Sequence, residues 1–109
     1  MARPLAWEHD GPSWPHHAAS RFVAAGGLRW HVQQLAAPAG RPTVLLLHGT
    51  GASTHSWRGV IDTLAGRLGL LAVDLPGHAF TGAPDDPRAL SLPGMARALA
   101  ALLQLPAVR

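Results

Sequence analysis

Thr43-Val44-Leu45-Leu46-Leu47 runs without a spacer into His48-Gly49-Thr50-Gly51. A strand that is apolar at nearly every position has no wet face and must be covered on both sides, as in a parallel sheet flanked by helices. A second such run, Leu70-Leu71-Ala72-Val73, ends in Asp74. Between the two, Trp57, Val60, Ile61, Leu64 and Leu68 recur at helical spacing, and Ser53 or Thr54 can cap that helix. Residues 43 to 74 therefore predict a strand-helix-strand unit with parallel strands and a right-handed crossover, which makes the class α/β.

Upstream, Arg21-Phe22-Val23-Ala24 and Leu28 to Leu35 are expected as two strands of a hairpin, because the intervening Gly26-Gly27 pair tolerates positive φ. Leu28, Trp30 and Val32 alternate with Arg29, His31 and Gln33, which predicts one buried and one wet face. Residues 1 to 19 show neither period and form an irregular Trp-, Pro- and His-rich arm, whose Trp7 and Trp14 suggest that it is tied to a surface. The domain proper is then 20 to 109. After a Pro-, Gly- and Asp-rich loop from Leu75 to Leu90, Ser91 caps a last helix whose Leu92, Met95, Leu99, Leu102 and Leu103 form one stripe.

Composition excludes several classes. All nine basic residues are Arg, spread singly from Arg3 to Arg109, so the net charge of +3 offers no basic groove and no nucleic-acid partner is expected. There is no Cys and hence no thiolate or disulfide chemistry. The N-terminus lacks the apolar segment of a signal peptide, and no run reaches membrane-spanning length. A soluble cytoplasmic protein without a transmembrane segment is the expectation.

The glycine turn admits four readings. Gly49-Thr50-Gly51 after a strand, with Asp74 at the end of the next, has the parts of a dinucleotide fingerprint, but the third glycine position falls on Thr54. A phosphate loop would need Gly-Lys-Ser/Thr, which does not follow. A plain change of direction is compatible with any function. The remaining reading joins His48-Gly49-Thr50-Gly51, the Trp57 helix and Asp74-Leu75-Pro76-Gly77-His78, which together resemble the N-terminal part of the α/β-hydrolase fold. The arm segments Trp7 to Gly11 and Trp14 to His16, Ala18 to Val23, Gly26 to Gln33, His48 to Trp57 and Ser91-Leu92-Pro93-Gly94-Met95 resemble more narrowly the magnesium-chelatase accessory hydrolases of bacteriochlorophyll biosynthesis.

That resemblance implies a role in the magnesium-insertion branch of bacteriochlorophyll synthesis, with magnesium chelatase subunits or a porphyrin intermediate as partners. It implies that the Thr50 amide donates to an oxyanion hole, that Gly49 and Gly51 shape the turn, and that His48 and His78 support it. Glycines suit such a turn because the backbone must come within about 2.7–3.1 Å of the oxyanion. Ala79 departs from the pattern, which commonly has glycine after Gly77-His78. The alternatives are a general ester or C–C bond hydrolase and a non-catalytic accessory that binds porphyrin or chelatase through the arm.

Catalytic residues are not expected within the chain. None of Ser13, Ser20, Ser53, Ser56 or Ser91 has glycines two positions away on both sides, so the strained G-x-S-x-G elbow is absent. The resemblance covers only about the first third of such a protein and implies that all three triad members lie beyond Arg109. It also implies that the strand at 43–47 has an open far edge. Asp74 is expected to cap backbone amides, and His55 to be exposed. With His16-His17 adjacent and no His-x3-His or Glu-x-x-His pair on a helix, neither a metal nor another cofactor is expected.

Overall fold

The computed structural model describes residues 4–108, and its sheet is organised around strand β2 (Leu28–Leu35). Along one edge residues 28–33 of β2 pair antiparallel with β1 (Ser20–Ala25), and along the other residues 32–35 pair antiparallel with β4 (Gly69–Val73). On the far side β4 pairs in parallel with β3 (Thr43–Leu47), so the order across the sheet is β1-β2-β4-β3. Gly26 and Gly27 turn the hairpin with φ of 58° and 80°, values that a side chain would make costly. The expected hairpin, parallel strand-helix-strand unit and closing helix are all present.

The two faces bury different clusters. Trp30 and Val32 of β2 and Leu71 and Val73 of β4 point to one side, where they meet Leu102 of the helix Leu92–Leu103. Buried there, the Trp30 indole N–H donates to the Ala25 carbonyl at 3.1 Å. On the other side Leu70 and Ala72 of β4, with Leu46 of β3, pack against Ile61 of the helix Arg58–Leu64 and against Trp57. The period-two alternation of β4 thus feeds two cores, which is why all its residues are buried.

Four expectations need correction. The second face of β2 is wet only at Arg29: His31 and Gln33 are as buried as their apolar neighbours, because the arm lies across them. That arm is not wholly irregular, since it contains a helical turn (Trp7–Asp10, α1) and two 3-10 turns; residues 1–3 lie outside the described residues. The next helix (Arg58–Leu64, α2) follows a 3-10 turn at Thr54–Trp57 and stops short of Leu68, where Gly66 turns left-handed with φ 79°. In the last helix (Leu92–Leu103, α3), Ser91 caps the Gly94 amide as expected, but Leu92 is 80% exposed and stands outside the buried stripe.

Strand β3 is covered less than a both-faces reading predicts, because it is an edge. Leu47 is 43% exposed and lines, with Leu75, Leu92, Met95, Ala96 and Leu99, an apolar groove of about 200 Å³. Between Thr43 and Leu47 there is no charge, proline or bulge to blunt the edge. The 109-residue chain is therefore expected to self-associate or to unfold at low temperature. Leu47→Lys, which charges that edge, should shift its sedimentation profile towards monomer; a sharp, reversible melt from a wild-type monomer would contradict the expectation.

Candidate functional site

Leaving β3, the chain turns at Gly49-Thr50-Gly51. Gly51 has φ 79°, which only glycine adopts freely, and the Ala52 amide closes the turn on the Gly49 carbonyl at 3.1 Å. A Cβ added at Gly49 or Gly51 would meet nothing within 4 Å, so the space before the turn is open. Among the described residues the amides of Gly49, Thr50 and Gly51 donate to no partner. Free N–H groups facing open space can receive an anion.

His48, buried under the turn, ties it to the neighbouring loop. Its Nδ1–H donates to the Gly49 carbonyl at 2.7 Å, and its Nε2 accepts the Leu75 amide at 2.9 Å, so the two bonds fix one tautomer. His78 donates from Nδ1 to the Pro76 carbonyl at 3.0 Å, with its ring 5.0 Å from that of His48. The structure therefore gathers Gly49, Thr50, Gly51, His48 and His78 around one corner. Ala79 beside them has φ 45°, the left-handed region that the glycine it replaces would occupy without strain.

Asp74 ends β4 with no exposure at all, yet its carboxylate is fully engaged. Oδ1 accepts the Thr54 amide at 2.8 Å; Oδ2 accepts the Phe80 amide at 3.2 Å and the His31 Nδ1–H at 2.7 Å. Amide capping is what the sequence suggests for Asp74, but the part played by His31 is not. A buried carboxylate needs such donors, since an unpaired buried charge costs several kcal/mol. Thr54 is no N-cap: Ser53 takes that role by accepting the His55 amide at 3.1 Å. Buried instead, the Thr54 hydroxyl accepts the Trp14 indole N–H at 3.0 Å. His55 is exposed, as expected.

His31 Nε2 lies 2.8 Å from Ser20 Oγ, which completes a Ser-His-Asp chain with the connectivity of a hydrolytic triad. Its surroundings argue for a structural role. Trp7 covers the imidazole at 5.1 Å, the Gln33 side-chain amide already donates to Ser20 Oγ at 3.2 Å, and none of the described cavities is lined by Ser20. The signal that could have revealed this cluster is the pairing of two hydrogen-bonding residues, His31 and Gln33, on one strand face beside a Trp-rich segment. A concavity of about 620 Å³ lies between the arm and α2 and is lined by Pro15, His16, Ser56, Arg58, Gly59 and Asp62 rather than by the glycine turn.

Comparison with known proteins places these features in a family. Residues 42–106 match the model of the alpha/beta hydrolase fold. The chain is 42% identical over 66 residues to the magnesium-chelatase 30 kDa subunit of Rhodobacter capsulatus, a match that spans 61% of this chain and 23% of that one. It is 43% identical over 68 residues to the 2-hydroxy-6-oxo-6-(2'-aminophenyl)hexa-2,4-dienoic acid hydrolase of Metapseudomonas resinovorans, covering 60% and 22% respectively. The crystal structure of a putative lipase from Acinetobacter baumannii superposes over all of this chain and 36% of its own, with a TM-score of 0.76 at 22% identity, a likeness of fold alone. The chain thus spans about a quarter of its sequence relatives and about a third of the lipase.

Two substitutions probe the corner. Asp74→Asn can offer one oxygen where three donors converge, and should lower the unfolding free energy by about 3 kcal/mol or more, read from denaturant midpoints. Ala79→Gly should raise it by up to about 1 kcal/mol, because relief of the left-handed strain outweighs the added unfolded-state entropy. A loss of stability in Ala79→Gly would show that the alanine is not strained.

Proposed function

Because the chain belongs to the α/β-hydrolase fold family, we propose that it is the N-terminal part of a magnesium-chelatase accessory protein of bacteriochlorophyll synthesis, in which the Thr50 amide supplies one half of an oxyanion hole. The observation that carries the hydrolase part is the open glycine turn, whose amides find no partner among the described residues while His48 clamps it from behind. Donors held in place before reaction stabilise developing charge without a reorganisation cost. One such donor is half a hole; the second donor and the nucleophile would come from the rest of the protein. The chelatase part is supported by the match to the Rhodobacter capsulatus subunit.

A second reading, a general ester or C–C bond hydrolase, is supported by the nearly equal match to the dienoic acid hydrolase. A purely binding role for the arm has less support. Both indoles are half-buried, with Trp7 packed on Phe22, His31 and Phe80 and Trp14 on Phe80 and His55, so their faces are occupied from within.

The whole protein separates these readings. Added to magnesium chelatase subunits with a porphyrin substrate, it should raise the rate of magnesium insertion; no change would remove the chelatase reading and leave the general hydrolase. In either case Thr50→Pro, which deletes the N–H at a position of negative φ, should lower kcat on activated esters by about 100- to 1000-fold with KM little altered. Unchanged turnover would sink the oxyanion role.

A further inference from the structure

The N-terminal arm does more than cover the sheet. From Trp14 a continuous hydrogen-bonded path runs through Thr54, three residues beyond the glycine turn, to Asp74: the indole N–H donates to the Thr54 hydroxyl at 3.0 Å, the Thr54 amide to Asp74 Oδ1 at 2.8 Å, and Asp74 Oδ2 accepts from His31 and Phe80. Thr54 is the first residue of the 3-10 turn that follows the glycine loop and is 1% exposed, so its position fixes the far end of that loop. The near end is fixed by β3 and His48.

The arm grips the second loop of the corner as well. Phe80, whose amide is held by Asp74, has its ring between Trp7 at 5.0 Å and Trp14 at 4.8 Å, both edge-on. The arm is in turn anchored at several points. The Gln33 side-chain amide donates to the Pro15 carbonyl at 2.7 Å and the His16 carbonyl at 3.2 Å, and the His16 imidazole meets the Asp62 carboxylate of α2 at 2.8 Å. Trp7 packs so closely on Gly11 that a Cβ there would lie 2.5 to 2.9 Å from the indole carbons.

We infer that the arm is a positioning element of the glycine turn, acting through the Trp14 indole N–H and the Thr54 hydroxyl to set where the Thr50 amide stands. Trp14 and Thr54 are positioning residues that touch no substrate. The inference rests on the oxyanion reading for its purpose but not for its test, because the test uses no hydrolysis; an inactive whole protein would end that reading and leave this one standing.

The test is amide hydrogen exchange, residue by residue, on the whole protein. Trp14→Phe keeps an aromatic ring against Phe80 and removes the N–H; Thr54→Val keeps the shape and removes the acceptor; Thr54→Ser keeps the hydroxyl. In the first two, the Ala52 and Thr54 amides should exchange about fivefold to tenfold faster, the effect of losing one net hydrogen bond from a local opening. The paired amides of β2 and β4 should be unaltered, and Thr54→Ser should restore slow exchange at Ala52 and Thr54. Unchanged exchange at those two amides, or an equal acceleration throughout the sheet as a general loss of stability produces, would overturn the proposal.

Discussion

Three segments of the chain converge on the Asp74 carboxylate. It lies at the end of β4, a strand buried along its whole length, and its two oxygens collect a strand side chain (His31), the start of a 3-10 turn (Thr54) and a loop (Phe80). Any one of these bonds is worth about 1 kcal/mol net, up to about 3 where the charge is shared. Their joint effect is geometric: a buried charge leaves its donors few alternative partners, so three separate segments are forced into one arrangement.

The arrangement explains why polar residues stand where a simple core would place apolar ones. His31 must donate to Asp74 through Nδ1, which leaves Nε2 for the Ser20 hydroxyl, and Ser20 then accepts from Gln33, whose amide also reaches the arm carbonyls. Each member answers a demand of the one before. The layer over His31 and Gln33 is dry only because the arm crosses it, with Trp7, Phe22 and Phe80 closing around the imidazole. Had the face been wet, water would have competed for every one of these donors.

What the sequence disclosed and what it hid follow the same division. β2, β3 and β4 announce themselves through apolar runs and alternation, the hairpin through Gly26-Gly27, and α3 through the Ser91 cap, since all are local signals. The burial of His31 and Gln33 is hidden in the sequence, because alternation tells only that two faces have different neighbours, and polar side chains satisfied by a distant segment look the same as polar side chains in water. The helical turn at Trp7–Asp10 is too short to have a period. Of the site, the glycine turn, His48 and the capping use of Asp74 were legible; the Trp14–Thr54 bond, made across 40 residues, was not.

The sheet is saturated on one flank and open on the other. On the side of β2, no buried side-chain polar atom lacks a hydrogen-bond partner among the described residues. On the side of β3, Leu47 and Leu92 stand exposed, and the buried Trp57 Nε1 has no hydrogen-bond partner among the described residues. The glycine turn sits on the boundary between the two. It is held from the finished flank, by His48 through Leu75 and by Thr54 through Asp74, and it faces the unfinished one. An oxyanion donor is effective only if it is fixed before charge develops. For the proposed oxyanion role, that fixing comes from contacts the chain makes with itself: His48 to the Gly49 carbonyl and the Leu75 amide, and Thr54 to Asp74.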